Sequence, residues 1–382
     1  MYFYFIVFLS IIIPLFLKNK KWGLRISFVL LFILLGFQYQ LVNDWGPNIG
    51  RWYYANEGAT ERANASTLEM GTVFLWLLKF FKPITFFGWL MLTAGSFLLV
   101  LYNYTRKYVP PKYYWLSIFI FMMDVSYAPL IINSNRQCIS LIFVLIGIWI
   151  LMNFNNLKFK IPLIKKSWTK YLLACLIFFL AAQCHSVAYI SFLLIPLYLL
   201  SKVFKGNNWI LMSVLGIGIL LARTVVDVTW LQGISMYLAN YLHIGDIDMY
   251  MEWIDTDTGG NSYLYIFIYS IIILAVCYYY RFLPSNMKFF ALSWYVGFII
   301  ASYFTGNVNR LGEYFYIFFL FLFPYIVDLA FKSKNGTIRT LRVFVMVLLL
   351  GYGIGHSWTQ MNTEYYERWL EYKSVFDAPQ WE

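Results

Sequence analysis

The stretch from Tyr171 to Leu200 is almost unbroken in its apolarity and carries one titratable residue, His185, near its middle. Lys166 and Lys170 precede it, and Lys202 and Lys205 follow it. As one straight helix it would extend about 45 Å, well past a hydrocarbon core of roughly 30 Å. A single crossing would also set basic clusters on opposite faces of a bilayer, against the positive-inside rule. A tight hairpin removes both conflicts: two short helices, with Gln183-Cys184-His185-Ser186 at the tip. An ionisable side chain at such a tip is costly in lipid and is therefore a functional candidate.

Composition makes lipid the solvent for the rest of the chain. Of 382 residues, 61% are hydrophobic and only 12% charged, more apolar surface than a soluble domain of that length can bury. The expectation is an all-α, polytopic transmembrane bundle forming a single integral membrane domain over residues 1–382. The net charge of +11 reads as loop bias, not as a nucleic-acid footprint. Cys138, Cys175, Cys184 and Cys277 lie within or beside apolar runs, without zinc-ligand spacing or a disulfide framework, and read as buried thiols. The first apolar run, Tyr2–Leu17, has its positive charge after it, the reverse of a cleaved signal.

Apolar windows predict about 12 spans, near 2–17, 26–42, 85–102, 113–130, 137–152, 171–183, 187–200, 209–226, 262–280, 289–304, 314–331 and 340–357. Leu68–Phe81 is short and holds Lys79. Read as an outer amphipathic or re-entrant helix near 65–82, it leaves Lys158, Lys160, Lys165, Lys166 and Lys170 on the same side as Lys18, Lys20, Lys21 and Arg25. Arg106, Lys107 and Lys112 then fall inside, with Lys202 and Lys205, Arg281 and Lys288, and Lys332, Lys334, Arg339 and Arg342. Of the 18 acids, only Asp124 and Asp328 fall within spans. Both termini are expected outside, as are His185, His243 and His356 and the arginines Arg136, Arg223 and Arg310.

Chemistry is accordingly expected on the outer side. Asn133-Ser134-Asn135-Arg136-Gln137 opens a span, and a guanidinium there gains nothing from the helix dipole. Something anionic should compensate it: the side chain snorkels or pairs with Asp124 one helix away, or Arg136 and the helix-start amides together hold a phosphate. Asn307-Val308-Asn309-Arg310 repeats the pattern, where Arg310 pairs locally with Glu313 or joins in holding a pyrophosphate. Asp44 marks the exit of the second span as a solvated loop acid or a general base. Glu69 opens the outer helix, where an acid is favourable in any case. His185 suits proton handling near neutral pH, or stands as a hydrogen-bonded tip residue. It has no partner at metal-ligand spacing. The long outer loop near 227–261 mixes carboxylates with rings including Trp253, which fits either a sugar site or an interfacial aromatic belt.

In chain order, Gly36-Phe37-Gln38, Asn43-Asp44-Trp45, Glu69-Met70-Gly71, Asn135-Arg136-Gln137, His185-Ser186-Val187-Ala188 and Arg310-Leu311 with Tyr314-Phe315 resemble the EpsG family of Wzy-like bacterial exopolysaccharide polymerases. The resemblance runs roughly over residues 36–315. Gln38 departs from the arginine of the family pattern, and Trp45 from the more usual tyrosine.

The resemblance implies a GT-C-like glycosyltransferase, without metal or cofactor, in the bacterial inner (cytoplasmic) membrane with its active site facing the periplasm or outside. A growing exopolysaccharide, capsule or O-antigen glycan on undecaprenyl pyrophosphate would pass to the hydroxyl of a lipid-linked repeat unit. Asp44 or His185 would be the base, Arg136 and Arg310 the pyrophosphate cations, and Glu69, Gln137, Tyr314 and Trp253 substrate contacts. Expected partners are the undecaprenyl-pyrophosphate-linked oligosaccharide, membrane lipids, and a chain-length regulator and flippase of the same pathway, with no nucleic acid. The competing readings are a lipid-linked oligosaccharide flippase, disfavoured because no internal repeat is visible, and a glycan O-acyltransferase, which would need an acyl donor reached from inside.

Overall fold

The computed structural model describes residues 2–38, 45–58, 71–123, 134–154, 168–204, 206–225, 263–303, 310–332, 342–343, 346–347 and 350–355. No strand runs through the described residues, and the fold is an all-helical bundle as expected. The chain gathers into two compact units: Met1–Ile142 with Gln183–His185 and Phe323–Glu382, and Phe143–Ala182 with Ser186–Leu322.

In the first unit, α1 (Tyr2–Phe16) and α2 (Lys20–Gly36) form a close pair. A Cβ on Gly23 would lie 2.8 Å from the Cα of Pro14, so glycine sets their approach. Helix α2 begins at Lys20, earlier than the apolar window near 26–42, because the Asn19 side chain accepts the Trp22 N–H at 3.3 Å. Its first turns thus carry the basic residues read as loop. The short α3 (Trp45–Glu57) packs on α4 (Thr72–Phe80). At 9 residues, α4 is about 14 Å long and too short to cross a bilayer. It buries Phe74 and Leu78 and exposes Trp76 stacked on Phe80, the two-faced helix the sequence predicts.

The 23-residue α5 (Phe86–Tyr108) packs along α2, and α6 (Tyr114–Met123) against α1. Asp328, buried near the end of the helix Phe319–Lys332, is held by Lys112 at 2.8 Å and Lys332 at 2.7 Å. A buried carboxylate is tolerable there because two cations share it.

Helix α7 (Asn135–Asn153) starts in the first unit and continues into the second. The hairpin follows: α8 (Thr169–Ala182), a turn, a 3-10 run from Ser186 to Leu193, and α9 (Leu194–Val203). Ring pairs Tyr171–Tyr198 and Phe178–Phe192 run in opposite chain order, so the limbs are antiparallel. The return limb differs from the plain α-helix expected. A 3-10 run of 8 residues is unusually long. Its side chains three apart eclipse: Ala188, Ser191 and Leu194 are all fully buried, and Tyr189 stacks on Phe192. The tighter coil also rises more per residue, so the 18 residues Ser186–Val203 reach about 31 Å where an α-helix would reach about 27 Å.

The rest of the second unit is α10 (Trp209–Val225), α11 (Tyr263–Tyr279), α12 (Ser285–Tyr303), α13 (Arg310–Tyr316) and the start of α14 (Phe319–Lys332). The span expected near 314–331 is broken. Phe318 N–H bonds back to Phe315 O at 3.4 Å and Leu320 N–H to Ile317 O at 3.2 Å, a tight turn between α13 and α14. Phe318 thereby stacks on Phe290, and Phe319 on Trp294. Gly297 of α12 lets α13 approach: its Cβ would stand 2.8 Å from the Tyr316 nitrogen. Three stretches, Phe86–Tyr108, Asn135–Asn153 and Ser186–Val203, are long and apolar enough to cross a membrane, with shorter apolar helices beside them. The predicted loop near 227–261 lies outside the described residues, as do the basic residues 158–166.

The buried small residues of the 3-10 run give a direct test. Ala188→Leu overpacks the limb and should cost about 1–3 kcal/mol, read as a fall in the melting temperature of the detergent-purified protein. Leu193→Ala, on the exposed side, should change it little.

Candidate functional site

The tip of the hairpin is made by the change of helix type. Helix α8 stops at Ala182, Gln183 and Cys184 turn, and His185 stands before the 3-10 run. Cys184 is fully buried, while Gln183 and His185 are half-buried. Gly71, the residue before α4, sits on this tip in extended backbone. A Cβ there would collide with the carbonyl oxygen of Gln183 and lie 2.6 Å from its carbonyl carbon. Glycine is required because backbone meets backbone, and Gly71 and the His185 tip, distant in sequence, come together through it.

The seat is stiffened by aromatic packing. Trp89 of α5 lies within 6.2 Å, centroid to centroid, of Trp52 on α3 and Phe74 on α4. Phe81, just after α4, is 5.7 Å from the same ring. Asp44 immediately precedes α3 in sequence; it and Glu69 lie outside the described residues. Sequence reasoning passed over two polar residues on α3. Arg51 is buried and donates through Nη1 to Asn48 Oδ1 at 3.1 Å. The signal was their three-residue spacing, which puts both on one helix face.

Arg136 sits in the first turn of α7, in the same unit as the tip. At the start of that helix Cys138 N–H bonds to Ser134 O at 2.9 Å, which places Asn135, Arg136 and Gln137 in its first turn. Arg136 is half-buried, and Asn135 and Gln137 are buried beside it. Asp124, its possible ion-pair partner, lies outside the described residues.

Within the second unit, the 3-10 run that begins at Ser186 packs on α13, whose first residue is Arg310. On α13, Glu313 is half-buried and Tyr314 fully buried in the aromatic core. Near its end, Tyr316 shares a 2.6 Å hydrogen bond with Tyr269. His243, Trp253 and His356 lie outside the described residues.

Burial pushes the Cys184 thiol up to about 12, so this neighbour of His185 is neither thiolate nor nucleophile near neutral pH. Among the described residues no three His, Cys, Asp or Glu side chains gather as a metal site.

The EpsG family model matches residues 21–374. No curated protein and no solved structure matches the chain.

Two measurements follow from the tip. Gly71→Ala should displace the Gln183 carbonyl and lower the melting temperature by several degrees, with loss of activity, while Gly46→Ala, which meets open space, should leave both nearly intact. Cys184 should resist maleimide at pH 8, because burial keeps the thiol protonated and covered; rapid labelling would contradict its burial.

Proposed function

The chain belongs to the EpsG family, and we propose that it is a polysaccharide polymerase acting at the outer face of a bacterial cytoplasmic membrane. Its donor is a glycan on a polyprenyl pyrophosphate, and its acceptor is a lipid-linked oligosaccharide repeat unit. The acceptor hydroxyl attacks the anomeric carbon of the donor. A new glycosidic C–O bond forms, the bond to the pyrophosphate oxygen breaks, and polyprenyl pyrophosphate leaves. A base takes the hydroxyl proton.

The observation that supports this reading is the seating of the His185 tip on Gly71, with the limb after it resting on the helix that Arg310 opens. Gly71 and His185, from two short motifs of the family pattern, thus meet in the first unit, and in the second the 3-10 run packs on the helix that carries a third. His185 is the proton acceptor in this scheme, with Asp44 its rival for the role. The negative charge developing on the leaving pyrophosphate requires cations and helix-start amides aimed at it. Arg136 in the first turn of α7, and Arg310 at the start of α13, have that chemistry. Glu69, Gln137, Tyr314 and Trp253 are assigned to holding the glycan or supporting the groups that do. A chain-length regulator and a flippase of the same pathway are the expected protein partners.

Reconstitution with a lipid-linked repeat unit tests the scheme. Wild type should give a ladder of glycan lengths; unchanged substrate would sink the polymerase reading. His185→Ala or Asp44→Asn, whichever removes the base, should slow turnover by about 10²–10⁴-fold. Arg136→Ala should cost on the order of 10²-fold without altering the melting temperature as Gly71→Ala does.

A further inference from the structure

Away from the hairpin, two arginines converge on one tyrosine at the end of the α2–α5 pair. Arg25 Nε donates to the Tyr102 hydroxyl at 3.4 Å, and the Arg106 guanidinium stands 5.9 Å from the centroid of the same ring. Both arginines are exposed. Among the described residues no ion pair to a carboxylate engages either guanidinium, and Asp328 is taken by its two lysines. Two like charges beside one tyrosine repel only weakly in water, and an anion placed between them is attracted by both.

The surroundings indicate what carries that anion. Helices α2 and α5 are antiparallel, since Arg25 and Phe28 meet Tyr102 while Phe32 meets Gly95. Val29, one turn from Arg25, and Leu99, one turn beyond Tyr102 and two from Arg106, lie in the same direction and are 57% and 60% exposed. Trp22, 55% exposed, lies on the other side of the cluster with Arg25 over its ring at 4.8 Å. From one end the arrangement reads indole, then two guanidiniums and a phenol, then a bare aliphatic face. That is the depth order of an interface, a headgroup layer and acyl chains.

We propose that Arg25, Arg106 and Tyr102 bind the phosphate of an anionic phospholipid whose acyl chain lies along Val29 and Leu99. The guanidiniums supply charge-assisted hydrogen bonds, and the Tyr102 hydroxyl, already accepting from Arg25, donates its proton to a phosphate oxygen. A zwitterionic lipid brings its own ammonium and gains less from the pair. This site is independent of the polymerase chemistry and does not require it.

The test is native mass spectrometry of the delipidated full-length protein titrated with phosphatidylglycerol, phosphatidylcholine or inorganic phosphate. Phosphatidylglycerol should bind preferentially. Arg25→Gln and Arg106→Gln should each weaken it about fivefold, and the double variant by the product. Phosphatidylcholine binding should barely change. Equal binding of the two lipids by wild type, or an unaltered phosphatidylglycerol preference in the double variant, would overturn the proposal. Displacement of the lipid by millimolar inorganic phosphate would also overturn it, by showing that the acyl chain adds nothing. If the double variant does not purify, Arg106→Gln alone decides, because that exposed side chain anchors no helix contact.

Discussion

A chain that turns back on itself must find partners for the backbone groups that its helix end releases. The hairpin at Gln183–His185 meets this demand by brevity. Helix α8 ends at Ala182, and after His185 a 3-10 coil resumes with its own shorter-range bonds. The turn between the two helix types is thus three residues long, and Gly71 presses directly on it. The seat of α4, the aromatic cluster around Trp89 and the placement of His185 all follow from keeping that turn small and covered.

Much of this was readable from residue order. The hairpin followed from an apolar run too long for one crossing and flanked by lysines on both sides. The short two-faced α4 followed from its length and from Lys79. Asn19 was an ordinary cap signal that an apolarity window overlooks, because hydropathy weighs side chains and is blind to the hydrogen bond that starts a helix. The break at Ile317-Phe318 left no trace for a different reason. Phenylalanines stand on both sides, and only the stacking of Phe318 on Phe290 favours the turn over a continuous helix. The 3-10 run was equally silent, since Ala188, Ser191 and Leu194 reveal a period of three only once their burial is seen.

The candidate site was legible as residue types and not as geometry. Arg136 and Arg310 were marked by their position at the start of apolar segments, and the structure has both on helix first turns. Glycine at 71 was only a weak motif letter until its contact with a carbonyl explained why no side chain fits. Arg51 escaped because one arginine in an amphipathic stretch looks like a solvated residue, whereas it is buried against Asn48. Buried polar groups of this kind are specified by tertiary neighbours, which a local pattern does not contain.

The 3-10 limb has a mechanical consequence. A coil advancing 120° per residue differs by about 20° per residue from an α-helix at 100°. Over the 8 residues from Ser186 to Leu193, conversion would turn one end relative to the other by about 160° and draw the limb in by about 4 Å. The segment beside His185 is therefore wound like a screw whose pitch and rotation are linked, so any shortening of the limb must also turn it.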